Sequence, residues 1–154
     1  MQKEFDALKR FLDKNIVEYH VSEHEPVFTS EQAAHVRGVE LKTGVKSLIF
    51  KTEDEKFIDA LVAADKKIDA KKLSDIIGKK VKLATSDEVL RVCKCEIGSV
   101  HPFGNLFGLK TYMDKGILEN EEINFNAGLH EFSIRMKSRD LLNMLKPVLG
   151  EFSL

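Results

Sequence analysis

Apolar positions recur along this chain with two different periods, and the switches between them predict the order of elements. Phe5, Leu8, Phe11 and Leu12 fall on one side of a helix over residues 2–14. In "IVEYHV", Val17, Tyr19 and Val21 alternate with other residues, the pattern of a strand. "EPVFT" is extended. "TSEQAAHVRG" predicts a short helix with Thr29 or Ser30 as N-cap and Gly38 closing it. "VKSLIFKT" and "KFIDALVAA" are apolar runs of strand type, joined by "EDE" as a hairpin. "DAKKLSDIIG" predicts a helix ending at Gly78, "VKLA" a short strand, and "SDEVLRVC" a helix with Ser86 as N-cap. "LFGLKTYMD" and "GILEN" are irregular or strand-like. "EINFNAG" and "HEFSIRM" predict two strands about a glycine turn, and "SRDLLNMLKPVLG" a helix from Ser138 until Pro147. No repeat, low-complexity tract or linker interrupts this order. It suits a mixed sheet, or a partly closed barrel, dressed with helices.

Composition narrows the function classes. A chain of 154 residues that is 43% apolar supports one core, so a single domain over residues 1–154 is expected. The net charge of −1 means the whole molecule is no electrostatic magnet for nucleic acid, although charge can be local. Residues 66–82, "KKIDAKKLSDIIGKKVK", hold seven lysines against two aspartates. Such a run is either a solvated face or a patch that meets a phosphate backbone. No run of about 18 apolar residues predicts a transmembrane helix. "MQKEFDALKRF" is charged and amphipathic, unlike a signal peptide. The two cysteines cannot build a disulfide framework, and a reducing cytoplasm is the expected location.

Candidate chemistry is sparse. There is no G-x-S-x-G, H-E-x-x-H, G-x-x-x-x-G-K-[ST] or G-x-G-x-x-G. Cys93 and Cys95 alone cannot complete a tetrahedral zinc site, and the five histidines show no ligand spacing, so no metal is expected. Lys46 lies within the apolar run "GVKSLIF". A lysine at a strand start is usually solvated; if enclosed, it would seek an anion or shift its pKa. "GSVHPFG" and "NAG" place small residues at strand ends. They are either plain turns or loops that let backbone approach a ligand.

In order along the chain, "HEPVFTSEQAA" (24–34), "KSLIF" (46–50), "FIDALVAADKKIDAKKL" (57–73), "EVLRVCKCEIGSVHPFG" (88–104) and "INFNAGLHEFSIRM" (123–136) carry a resemblance. They resemble the YbaK/ProX family of aminoacyl-tRNA deacylases, which is also the editing domain inserted in bacterial prolyl-tRNA synthetases. The resemblance covers about residues 17 to 145, and a G-x-x-x-P signature stands at Gly98–Pro102. Lys94 stands where many relatives have Gly, and Ile97 where Pro is common. These departures bear on substrate choice more than on reaction class.

The resemblance implies an α/β (α+β) fold: a mixed, mostly antiparallel sheet curled into a partly closed barrel with surrounding helices. It implies hydrolysis of the ester between a wrong small amino acid (Ser, Thr, Ala or Cys) and the terminal adenosine of tRNA, in trans. No protein nucleophile and no cofactor are implied; water attacks, helped by a ribose hydroxyl. Lys46, the expected catalytic residue, matches the family lysine that meets the terminal nucleotide and its phosphate. The loop of Gly98, Ser99, Val100, His101, Pro102 and Gly104 shapes the amino-acid pocket, with Gly98 and Gly104 letting backbone dipoles face the ester and Pro102 holding the loop rigid. Phe28, Thr29, Ser47, Asn126, Ala127, Gly128 and His130 complete the expected substrate-binding set. Lys71, Lys72, Lys79 and Lys80 would contact tRNA phosphates. The partners are mischarged tRNA and an aminoacyl-tRNA synthetase, with no membrane. Rivals are a non-catalytic tRNA- or synthetase-binding module of the same fold, and a small-ester hydrolase using Cys93 or Cys95, which thiol alkylation would separate.

Overall fold

The computed structural model describes residues 2–154. Helix α1 (Gln2–Lys14) buries Phe5, Leu8 and Leu12, as their spacing requires. Strand β1 (Tyr19–Glu23) and helix α2 (Ser30–Arg37) follow. Thr29 caps α2, its side chain accepting from the Gln32 N–H, and Gly38 ends the helix in the left-handed region. Strands β2 (Val45–Thr52) and β3 (Phe57–Ala63) form the expected hairpin. Helix α3 (Ala70–Ile77), strand β4 (Val81–Leu83) and helix α4 (Ser86–Cys93) come next. The α4 cap is Thr85 rather than Ser86, because Thr85 and Glu88 form a reciprocal capping box, and the helix begins one residue earlier than expected.

Strands β5 (Lys110–Asp114), β6 (Glu122–Asn126) and β7 (Phe132–Lys137), helix α5 (Ser138–Leu145) and strand β8 (Val148–Gly150) complete the order. Residues 116–120 are not strand: Lys115–Glu119 is a 3-10 turn capped by the Asp114 carboxylate on the Gly116 N–H. After Pro147 the chain resumes as β8, parallel to β5.

The strands form two sheets. One is the antiparallel β1–β7–β6; the other is β4–β2–β3–β5–β8, in which the β3–β5 and β5–β8 pairings are parallel. The fold is thus mixed α+β and mostly antiparallel, but no sheet is closed into a barrel, contrary to expectation. The ladder that closure needs is reduced to one bridge, between Gly44 and Asn124. At that point Asn124 is engaged by side chains instead, Arg37 donating to its oxygen and its own amide donating to Thr43.

One core lies between α1, α5, β6, β7 and the inner residues Leu61, Ala63 and Met113 of the larger sheet. A second, around Phe50, Ile58, Ala60, Leu73, Tyr112 and Phe152, includes α3. Residues from both faces of β3 are therefore buried, which explains its continuous apolar run. A third cluster beside α4 contains Val89, Cys93, Cys95 and Val100. Among the described residues no helix is long and apolar enough to cross a membrane.

Candidate active site

Where the two sheets part, the surface sinks into a cleft of about 210 Å³. Four segments line it: the start of α2 with Val27, Phe28 and Thr29; the start of β2 from Gly44 to Leu48; the loop residues Gly98 and Val100; and Asn124 and Asn126 of β6, with Arg37.

Lys46 stands at the second position of β2, half-buried. Its ammonium donates to the Lys66 carbonyl at 2.6 Å. Burial lowers its pKa, and the charges of Glu31 and Asp65 oppose that shift. Arg37, in the last turn of α2, is a second cation in the same cleft. Its Nε donates to Ser133 Oγ at 2.7 Å, and its terminal nitrogens to Asn124 Oδ1 and Asn126 Oδ1, each at 2.8 Å. Burial lowers its pKa to about 10, so it keeps its charge at neutral pH. Among the described residues neither cation has a carboxylate within ion-pair distance. An enclosed cation with neutral acceptors only is a place where an anion gains.

The loop at 98–104 is held from below. Pro102 and Phe103 are buried, and the Phe103 ring meets Phe11 and Phe125 edge-on at 5.7 and 6.0 Å. His101 is fully buried, its ring 4.7 Å from Phe107 and its Nδ1 accepting from the Phe103 N–H. Burial drops its pKa to about 3, so it is neutral. The Gly98 carbonyl accepts from the Asn126 amide, and the Ser99 carbonyl from the Gly128 N–H. Gly98 has φ +87°, which explains the glycine. The N–H groups of Gly98 and Val100 have no partner among the described residues.

The residues expected from sequence therefore divide. Phe28, Thr29, Lys46, Ser47, Gly98, Val100 and Asn126 line the cleft together. Ser99, His101, Pro102, Gly104, Ala127, Gly128 and His130 do not line it, and all seven are buried. Gly104 packs on β3 and β5: a Cβ there would stand 2.8 Å from Asp59 Oδ2 and 2.9 Å from Thr111 Oγ1. His130 backs the exposed Phe28 ring at 4.5 Å, its Nδ1 paired with the Val27 carbonyl. Lys71, Lys72, Lys79 and Lys80 are all exposed and outside the cleft, and Lys79 is paired with Asp54 at 2.7 Å. Cys93 and Cys95 are fully buried, and burial pushes their thiols up to about 12 and about 11. Neither is a thiolate at neutral pH.

Among the cleft residues that sequence reasoning does not reach, Arg37 and Asn124 matter most for its polarity. Arg37 looks like an ordinary basic residue ending a helix. Asn124 leaves only a faint trace: with Glu122 and Asn126 it forms the polar face of an alternating strand.

Comparison with known proteins agrees with this geometry. The family model for the aminoacyl-tRNA editing domain matches residues 24–144. A protein of Escherichia coli named multifunctional Ser/Thr-tRNA deacylase ProXp-y is 32% identical over 146 residues, which is 92% of this chain and 87% of that protein. The Bacillus subtilis protein YwhH, itself uncharacterized, is 34% identical over 113 residues, 73% of this chain and 72% of its own. Among solved structures, one proposed as a trans-editing enzyme for prolyl tRNA synthetase superposes with a TM-score of 0.88 at 24% identity, over 98% of this chain and 97% of that one. At that identity the likeness speaks for the fold.

Proposed function

This chain belongs to the aminoacyl-tRNA editing-domain family, and we propose that it is a trans-acting deacylase that hydrolyses the ester between a mischarged small amino acid and the terminal adenosine of tRNA. The observation that carries the proposal is the meeting, in one small cleft, of a half-buried lysine with a loop in which the Gly98 and Val100 N–H groups have no partner among the described residues. Lys46 would hold the terminal nucleotide by its phosphate. The Gly98 and Val100 N–H groups would face the carbonyl oxygen as it gains charge, the role in which fixed backbone dipoles contribute most. The exposed Phe28 ring at the cleft mouth offers a face on which the terminal base can stack.

Water adds to the ester carbonyl, the bond to the ribose oxygen breaks, and that oxygen takes the proton; free amino acid and intact tRNA leave. Among the described lining residues there is no histidine or carboxylate to activate a hydroxyl, so a water assisted by the substrate's ribose hydroxyl is the nucleophile in this proposal. Of the four candidate amino acids, serine and threonine are favoured over alanine and cysteine. The amide side of the cleft, at Asn124 and Asn126, supports a hydroxyl, and the relative named as a Ser/Thr-tRNA deacylase agrees. Pockets gain little from one methylene, about 1–3 kcal/mol, which is why a second, hydrolytic sieve is useful at all. Lys71, Lys72, Lys79 and Lys80 are proposed to touch backbone phosphates, with Lys79 the weakest contributor because Asp54 already holds it. A synthetase that loads the tRNA is the proposed protein partner.

The test is deacylation of tRNA charged with serine, threonine, alanine or cysteine by the purified protein. Release of serine and threonine is expected to be fastest. No turnover on any of the four would overturn the proposal and leave a binding module.

A further inference from the structure

We propose that Arg37 is a positioning residue: its guanidinium fixes the orientation of the Asn126 amide, and through it the Gly98 carbonyl, so the shape of the 98–100 loop is set by a cation on α2. The inference rests on the deacylase proposal above only for its catalytic consequence; the coupling itself belongs to the fold.

A side-chain amide has two ends that sterics barely distinguish and hydrogen bonding separates completely. The oxygen end of Asn126 accepts from Arg37 at 2.8 Å. Its NH2 end is then forced toward the Gly98 carbonyl, to which it donates. Turned over, Asn126 would set its N–H bonds against a cation and its oxygen against a carbonyl. Arg37 orients Asn124 in the same way, and that NH2 end donates to Thr43 Oγ1 at 2.8 Å. The third bond of the guanidinium, to Ser133 on β7, fixes its plane, since three acceptors on two strands leave a rigid fork no freedom to swing.

The loop reads this orientation through planar peptides. A held carbonyl aims the N–H of the next residue in the opposite direction. With Gly98 O on Asn126, the Ser99 N–H points back to the Glu96 carbonyl, a bond of 3.0 Å. With Ser99 O on the Gly128 N–H at 2.9 Å, the Val100 N–H is aimed in its turn. Two anchors thus set two successive peptide planes, and Arg37 commands the first. Lysine cannot replace it, because an ammonium is a point donor that cannot span two amides and a hydroxyl in one plane.

The experiment compares Arg37→Lys, Arg37→Met and Asn126→Asp with the wild type. Two measurements are made on each: amide hydrogen exchange in the 96–100 segment of the protein alone, and kcat and KM for Ser-tRNA deacylation. Exchange at Ser99 is expected to rise about tenfold in all three variants. The kcat is expected to fall on the order of 10- to 100-fold with KM within about twofold, the mark of a misplaced group rather than a lost contact. Unchanged Ser99 exchange in Arg37→Lys and Arg37→Met overturns the proposal, and so does a rise in KM with kcat retained, which would put Arg37 on the substrate itself. If Arg37→Met does not fold, Arg37→Lys and Asn126→Asp decide alone. A wild type without deacylase activity would sink the functional proposal, while the exchange data would still decide the coupling.

Discussion

Two groups of enclosed polar side chains in this molecule are in opposite states. In the cleft, Arg37 donates to Asn124, Asn126 and Ser133 at 2.7–2.8 Å, and the cation keeps its charge. Under Gly104, both carboxylate oxygens of Asp59 and the Thr111 hydroxyl have no hydrogen-bond partner, and nor does His101 Nε2 in the adjoining loop. There burial removes charge: Asp59 is pushed well above the usual carboxylate range, and His101 falls to about 3. Enclosure is common to both groups. Partners are what allow a charge to survive it, and only the first group keeps one.

Replacing Asp59 by Asn tests the unpartnered group most strongly. The folded protein holds the Asp59 proton more tightly than the unfolded chain does. Its contribution to stability is therefore whole below about pH 4 and is lost as pH rises toward the folded pKa, at up to about 1.4 kcal/mol per pH unit. His101 acts with the opposite sign, losing stability as pH falls from about 6.5 towards about 3, and it does so equally in both proteins. The stability of wild type minus Asp59→Asn, from urea unfolding between pH 4 and 8, should fall with rising pH. A flat difference would mean that Asp59 is ionised and partnered after all.

In the cleft, Lys46→Ala should lower kcat/KM by about 100-fold or more, roughly 2.7 kcal/mol, with melting unchanged within a few degrees. Wild-type rates in this variant would make Lys46 a surface residue.

The two loop glycines sharpen the contrast further. Gly104→Ala pushes a methyl group into Asp59 and Thr111 and should cost about 1–3 kcal/mol of stability. In Gly98→Ala the new Cβ meets nothing nearer than His130 Cε1 at 3.9 Å, so only the left-handed backbone is strained, by about 1–2 kcal/mol. Its deacylation should suffer more than its stability. Equal melting losses with no difference in rate would place both glycines in the scaffold.

Much of this was legible along the chain because it is local. The Thr29 cap, the Gly38 and Gly78 stops, the hairpin at 45–63 and the helix at 2–14 depend on neighbours a few residues away. The G-x-x-x-P stretch announced the loop. What stayed hidden depends on distant pairs. Arg37 meets partners 87 to 96 residues later, and no local pattern marks that encounter. The open edge between β2 and β6 is another such case: alternation shows that both are strands, not that one bridge is all that joins them. Residues 148–150 pair with β5, about 36 positions earlier, and a three-residue run after a proline gives little sign of it.

The bond from Lys46 to the Lys66 carbonyl has a kinetic and entropic side. A free lysine on a strand samples many rotamers, and freezing them costs about 1.5–2 kcal/mol. Here that loss falls on folding, since the side chain already reaches across to a backbone acceptor. Only one of three ammonium hydrogens is engaged, which leaves two for a further acceptor without any rearrangement of the stem. A ligand arriving at the cleft therefore meets a lysine already in place, and the search that would otherwise slow its capture is over before it comes.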